Sequence, residues 1–334
     1  MSVPSTDVVA LGNAIVDIIG RCDDAYLAKH GCPKGGMSLV DEARIEALYA
    51  GMGPGLEMSG GSAANTAVGV AAFGGRAAFI GKIADDDFGR IFAHDIKAAG
   101  VAFDNAPAKK ATGMPGTSRS LILVTPDGER TMNTLLGIST SFTEADLDKA
   151  KIEAAKVTYL EGYLFDSDAG KAAFRGAATI ARAAGREVAL TLSDGFCVDR
   201  HRADFRAFLR SSVDILFANE TEILSLYETK TFDDAVRHVQ ADAKLAALTR
   251  SAKGSVIVSS SGVVTVPVEP VAKVVDTTGA GDLYAAGFLY GHTHGRPHAI
   301  SGRLGSIAAA EIISHIGARP EAKLSVLAKA KGVV

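Results

Sequence analysis

The sequence predicts an α/β fold with a mostly parallel central sheet and a small β lid. Three observations carry that expectation. Short apolar runs alternate with helical patterns through the second half of the chain, as βαβ units require. An earlier hairpin signal breaks the alternation and assigns that material to a separate small sheet. The chain has 334 residues, enough to bury a core without disulfide or metal staples.

Residues 8–11 form an apolar run closed by Gly12, a buried strand. Ile15, Val16, Ile18 and Ile19 supply the next strand. A helix over 41–48 begins at the capping residue Asp41. Residues 62–73 are small and apolar and predict a tightly packed helix, and 77–80 are strand-like. An acidic turn at 81–89 leads into an amphipathic helix over 90–99. Runs 118–124 and 130–135 flank Pro126-Asp127-Gly128 and predict a hairpin. Strands then fall at 157–160, 188–192 and 215–218, with helices over 170–184, 199–209 and 233–242. Further strands fall at 246–249, 256–258 and 263–266, and an extended run at 271–275. Residues 280–315 are mostly helical. No repeat or low-complexity linker interrupts the chain. Residues 1–334 are expected to make one domain, with the lid formed by about 13–40 and 117–137.

Lys and Arg sum to 35 against 38 for Asp and Glu, a net charge of −3. That balance argues against nucleic acid as a partner and against a polybasic membrane patch. Three cysteines without paired spacing argue against a disulfide framework or a zinc site. The first seven residues carry no basic, apolar leader pattern, so a cytoplasmic protein is expected. Glycine is in excess, at 36 where average usage gives roughly 23. The surplus points to turns, close packing or backbone that approaches a ligand.

Several motifs fail on inspection. Gly60-Gly61-Ser62-Ala63-Ala64 lacks the last glycine of a hydrolase elbow. Gly81-Lys82 lacks the leading glycine of a P-loop. His292 and His294 lie two apart, on different faces of a helix, which does not suit a shared metal. The strongest segment is Asp276-Thr277-Thr278-Gly279-Ala280-Gly281-Asp282. Its glycines leave N–H groups open at a helix start, where the helix dipole also favours an anion. Asp282 reads either as an ordinary first-turn acid or as a general base beside an anion hole.

Residues 276–282 resemble the C-terminal signature of the ribokinase-like (PfkB-type) carbohydrate and nucleoside kinases. Gly60-Gly61-Ser62-Ala63-Ala64-Asn65 resembles that family's glycine-pair signature, and Asn219-Glu220-Thr221-Glu222 its N-x-x-E motif. The resemblance runs from about residue 7 to 320 and is closest to the adenosine kinase-like branch. It implies a ribokinase-like three-layer fold with a β lid over the acceptor. It also implies transfer of the ATP γ-phosphoryl group to a hydroxymethyl group. Asp282 would be the base, and the backbone of Gly279, Ala280 and Gly281 the anion hole. Arg130 on the hairpin would reach the phosphoryl group, or be a solvated hairpin arginine. Asn219 and Glu222 would hold Mg2+ or its waters, and Asp276 is a further metal position, with a monovalent cation (K+) near Asp276 and Gly317-Ala318 left open. Thr249, Gly254, Thr277, Thr278 and Asn219 would serve the nucleotide. Asn219 alone reads equally well as a helix cap.

A hydroxyl-rich acceptor needs carboxylate and amide partners. Asn13 and Asp17 offer such a pair, and Asp17 is otherwise a charge stranded among isoleucines and valine. Their separation of four is similar to that of adenosine kinases. Gly60, Gly61, Ser62 and Asn65 complete the expected acceptor site. Tyr163 falls where adenosine kinases carry purine-stacking aromatics, and reads equally as a core residue. Three positions depart from the family pattern: Thr278 in place of Asn, Met37 in place of a polar lid residue, and Ser251 in place of Gly. Ser251 fits if its φ is negative. The expected reaction is ATP-dependent phosphorylation of the adenosine 5′-hydroxyl to AMP. The alternatives are another nucleoside or sugar kinase, or a non-catalytic purine or sugar sensor. Partners are expected to be small molecules, and the chain a monomer or a homodimer.

Overall fold

The computed structural model describes residues 3–109 and 113–333. Its strands are β1 (Thr6–Leu11), β2 (Ile15–Arg21), β3 (Met37–Leu39), β4 (Gly55–Gly60), β5 (Ala77–Ile80), β6 (Val101–Ala102) and β7 (Ser118–Val124). They continue as β8 (Arg130–Leu135), β9 (Ala155–Glu161), β10 (Glu187–Thr191), β11 (Ile215–Asn219), β12 (Leu245–Thr249), β13 (Ser255–Ser259) and β14 (Gly262–Val266). Nine form one sheet in the order β14-β13-β12-β11-β10-β9-β1-β5-β6. It is parallel from β12 to β6 and antiparallel at the β12–β13 and β13–β14 edge.

The interior strand β1 explains the layers. Val8, Val9, Ala10 and Leu11 are all buried, as in a sheet covered on both faces. Side chains alternate along a strand, so Val8 and Ala10 enter one core with helices Ser62–Ala72, Ala280–Thr293 and His298–Ile312. Val9 and Leu11 enter the other with helices Asp168–Ala183, Gly195–Ser212 and Phe232–Asp242. The result is helix, sheet, helix. Glycine permits close approach on the first face. A Cβ on Gly69 would stand 2.5 Å from Ala286 Cβ. One on Gly287 would stand 2.5 Å from the Leu304 backbone.

The five-stranded sheet runs β3-β8-β7-β2-β4. The hairpin β7–β8 is antiparallel and closes with Gly128 N–H on the Thr125 carbonyl at 2.8 Å. β2 sits between β7 and β4, with Asp17 opposite Ser120 and Met58. The ranges 13–40 and 117–137 omit β4, which forms an edge of this sheet. Residues 271–275 are a further correction: no strand forms there. Val274 and Val275 are exposed, and the Val275 N–H donates instead to Ile313 O at 2.8 Å. The helix expected over 90–99 spans Asp87–Ala98, because Asp86 caps it by accepting the Gly89 N–H. Ser251 has φ +49°, so the condition under which serine would fit there, a negative φ, is not met.

No helix among the described residues is long and apolar enough to cross a membrane.

Candidate active site

A cavity of about 640 Å3 opens where the small sheet faces the carboxyl ends of the parallel strands. Such ends are where α/β sheets bind ligands. β2 contributes Ile15 and Asp17, and the ends of β11 and β12 contribute Asn219 and Thr249. Asn13, Gly61, Ser62, Asn65, Tyr163 and Glu222 also line it, as do the six residues from Thr277 to Asp282.

The turn at 277–282 opens a helix with its first backbone N–H groups facing the cavity. Gly279 caps helix Ala280–Thr293 with φ +73°, a conformation that disfavours side chains. The Leu283 N–H donates to Gly279 O at 2.8 Å and the Ala280 N–H to Thr277 O at 3.3 Å. The N–H groups of Gly279, Gly281 and Asp282 have no protein acceptor among the described residues. A Cβ on Gly281 would meet nothing within 4 Å. The protein itself therefore does not need glycine there, whereas a bound anion would.

Asp282 stands in that first turn. Ser62 Oγ donates to its Oδ1 at 2.6 Å and Asn65 Nδ2 to its Oδ2 at 2.9 Å. The close helix packing at Gly69 makes these contacts reachable. Burial raises the Asp282 pKa, and the two hydrogen bonds and the Arg319 charge oppose the rise. Asn65 and Ser62, expected to hold the acceptor, hold the Asp282 carboxylate in this structure.

Asp17 projects across the glycine pair. A Cβ on Gly60 would stand 2.3 Å from Asp17 Oδ2. Gly61 has φ +94°, and a Cβ there would stand 2.3 Å from Asn13 O. The pair is glycine because a carboxylate and a backbone carbonyl occupy the side-chain space. Burial pushes Asp17 up to about 6, opposed by Arg319 and Arg130 and reinforced by Asp282. Asn13 is tied down: its Nδ2 donates to Glu161 Oε1 at 2.7 Å. Ala63 N–H donates to Glu161 Oε2 at 2.8 Å. Glu161 is 1% exposed, and burial pushes it up to about 7.

Arg130 and Asp276 form an ion pair, and Arg130 also donates to Thr278 Oγ1. The hairpin arginine is therefore not solvated. Asp276 is 4% exposed and also accepts the N–H groups of Thr278 at 2.7 Å and Gly317 at 2.8 Å. A guanidinium thus stands where a metal was expected on Asp276. Asn219 and Glu222 are mutual caps of helix Glu220–Tyr227: Asn219 Oδ1 accepts the Glu222 N–H and Asn219 Nδ2 donates to Glu222 Oε1. Burial pushes Glu222 up to about 7. Gly254 stays outside the cavity lining; its place in the chain is set by φ +81° and by Val266 O, 2.2 Å from a would-be Cβ.

Tyr163 lines the outer end of the cavity with Phe196, which is 76% exposed. The Tyr163 N–H donates to Ser193 Oγ at 3.2 Å, which fixes the backbone there. Asp166 and Arg200 complete that rim as a bidentate ion pair. Sequence reading missed Glu161, Phe196, Asp166, Arg200 and Arg319. Only Glu161 had a signal, an acid closing the apolar strand 157–160.

Residues 56–323 match the model of the pfkB family of carbohydrate kinases. The chain belongs to that family. The structure of adenosine kinase from Sinorhizobium meliloti is 52% identical over 98% of this chain and 99% of its own, with a TM-score of 0.90. A probable sugar kinase from Rhizobium etli CFN 42 is 49% identical over 99% of this chain and 100% of its own, with a TM-score of 0.91. Adenosine kinase of Saccharomyces cerevisiae is 29% identical over 95% of this chain and 98% of its own length. As a pfkB kinase of ribokinase-like fold, this chain is a phosphotransferase that uses ATP and acts on a hydroxyl group.

Proposed function

We propose that this pfkB-family kinase transfers the γ-phosphoryl group of ATP to the 5′-hydroxyl of adenosine, giving AMP and ADP. The observation that carries the reading is the juxtaposition of Asp282 with an open set of N–H donors inside a cavity that also holds Asp17 and an aromatic rim. The likeness to the Sinorhizobium adenosine kinase supports the choice of acceptor.

Each part has a chemical task. Asp17 is half-buried and, among the described residues, no protein group donates a hydrogen bond to its carboxylate, so ribose hydroxyls can. Asn13, braced by Glu161, adds an amide beside it. Tyr163 and Phe196 offer faces for a purine. The 5′-oxygen bonds to Pγ as the Pγ–O bond to ADP breaks, and the hydroxyl proton passes to Asp282. The N–H groups of Gly279 and Gly281 stabilise charge on the moving phosphoryl oxygens without reorganising. The raised pKa of Asp282 suits a group that must accept a proton near neutral pH.

Mg2+ favours oxygen ligands and keeps several waters. Asn219 and Glu222 present an amide and a carboxylate to the cavity, each oxygen keeping a lone pair beyond its mutual bond, which fits a hydrated ion. There the ion would neutralise phosphate charge. Asp276 does not fit as a ligand, because Arg130 and two N–H groups fill it.

The test is kcat/KM with Mg·ATP for adenosine, inosine, guanosine, ribose and fructose. Adenosine is expected to exceed the others. A sugar with the higher value would instead support the sugar-kinase reading that the Rhizobium etli relative raises.

A further inference from the structure

Arg319 lies outside the cavity lining, yet it grips what holds the base. Its Nη1 donates to Asn65 Oδ1, and its Nη2 to the Ser59 carbonyl and, at 2.9 Å, to Ser59 Oγ. Ser59 is fully buried, and its N–H and Oγ both donate to Asp95 Oδ2, at 2.7 and 2.5 Å. A cation and an anion therefore face each other across Ser59 behind the active site. Both charges are half-buried, and their partial desolvation is a cost that apolar packing would not carry. The same turn meets two other parts of the site. Gly317 N–H donates to Asp276, and Ala318 Cβ abuts Gly279 at 2.9 Å from a would-be Cβ.

The Asn65 amide explains what the guanidinium does. An amide has an acceptor end and a donor end of nearly equal shape. The Asp282 carboxylate only accepts, so it requires Nδ2. Nothing in Asn65 itself selects that orientation. Arg319 only donates, so it holds Oδ1 on its own side. Turned by half a rotation, the amide would set Oδ1 against the carboxylate and Nδ2 against the guanidinium, with both contacts repulsive.

We propose that Arg319 is a positioning residue for phosphoryl transfer: it locks the Asn65 amide so that Nδ2 holds the Asp282 carboxylate for attack. The inference rests on Asp282 being the proton acceptor of the proposed reaction. Asp282 is also faced by Asp17, Glu161 and Glu222 and by the hydroxyls of Tyr159 and Tyr163; none hydrogen-bonds to Arg319 among the described residues, though Asp17 also feels its charge.

A double-mutant cycle tests it, using whichever acceptor the wild-type protein phosphorylates. Arg319→Met keeps length and removes every donor. It is expected to lower kcat by about 10- to 100-fold, the scale of a small misplacement at a reacting centre, with the acceptor KM moving far less. The acid limb of its kcat profile should move to higher pH, because Asp282 loses a firm donor and a nearby cation. In an Asn65→Ala background the same substitution should change kcat by less than about twofold, since coupled residues are non-additive. An equal loss in both backgrounds, or wild-type kcat in Arg319→Met, overturns the inference while leaving the kinase reading intact. A wild-type protein that phosphorylates none of the acceptors removes both. If Arg319→Met does not fold, Arg319→Lys runs the same cycle, because one ammonium cannot span Ser59 and Asn65. Additive loss there is equally decisive against it.

Discussion

Replacing Gly281 with alanine separates what the fold needs from what the chemistry needs. The position lies in the first turn of helix Ala280–Thr293, with no positive φ, and a Cβ there meets nothing within 4 Å. The substitution removes backbone freedom from the unfolded chain and so stabilises the fold by about 0.4–1 kcal/mol. For a chain of this size that raises Tm by about 1–3 °C. The methyl group, however, projects into the space where phosphoryl oxygens would meet the Gly279 and Gly281 N–H groups. Displacing them by about 1 Å costs on the order of 100-fold in rate. Losing one such donor altogether costs about 100- to 1,000-fold. Thermal unfolding and the kcat of AMP formation, measured on the same preparation, give both quantities. The expected protein is slightly more stable and at least about 100-fold slower. Wild-type kcat in Gly281→Ala would refute the assignment of this open space to the phosphoryl group. A fall in Tm of several degrees would refute the claim that the fold is indifferent to the methyl.

Three further outcomes follow from the same geometry. Asp17→Asn should raise the acceptor KM by tens of fold, since hydrogen bonds to a charged partner contribute about 1.5–3 kcal/mol; an unchanged KM in steady-state assays would make Asp17 structural. Glu161 is protonated in the folded protein up to about pH 7 but only to about 4.5 when unfolded, so the native state binds the extra proton and stability falls as pH rises between those values. The shift corresponds to about 3 kcal/mol, and denaturant titrations across that window should show a steeper fall in wild type than in Glu161→Gln, where Glu222 and Asp17 still contribute theirs. Arg130→Met breaks a buried ion pair and leaves Asp276 uncompensated, so it should destabilise by about 3–5 kcal/mol; a loss below 1 kcal/mol in chemical denaturation would show that the pair does not tie the small sheet to the core.

Much of the site was legible before the structure because its parts are local. The turn at 276–282, the glycine pair and the Asn219–Glu222 cap each lie within a few residues of sequence, where φ requirements and helix starts leave a pattern. The central sheet was legible for the same reason: strands buried on both faces are continuous apolar runs. Features made by distant residues were not. Arg319 meets Ser59 across 260 positions, and no pattern in either neighbourhood announces it. Glu161 gained its role only when Asn13 and Ala63 arrived at the end of β9. β4 was hidden because glycines at both ends mask its strand character. The valines of 271–275 misled in the opposite direction, since β-branched residues make a strand only where a ladder partner exists, and there the backbone bonds a helix end. The glycine surplus resolves into turns at positive φ such as Gly128 and Gly254, close helix packing at Gly69 and Gly287, and the space held by a carboxylate at Gly60 and a backbone carbonyl at Gly61.

In the proposed reaction Asp282 accepts the proton of an adenosine hydroxyl during phosphoryl transfer. Asp282→Asn keeps the shape and the Ser62 contact but removes the base. Calorimetric binding of adenosine should survive in this variant. Single-turnover formation of AMP from Mg·ATP should fall by about 100- to 10,000-fold, the usual worth of a positioned base. AMP formation within tenfold of wild type, with adenosine bound, would contradict the claim.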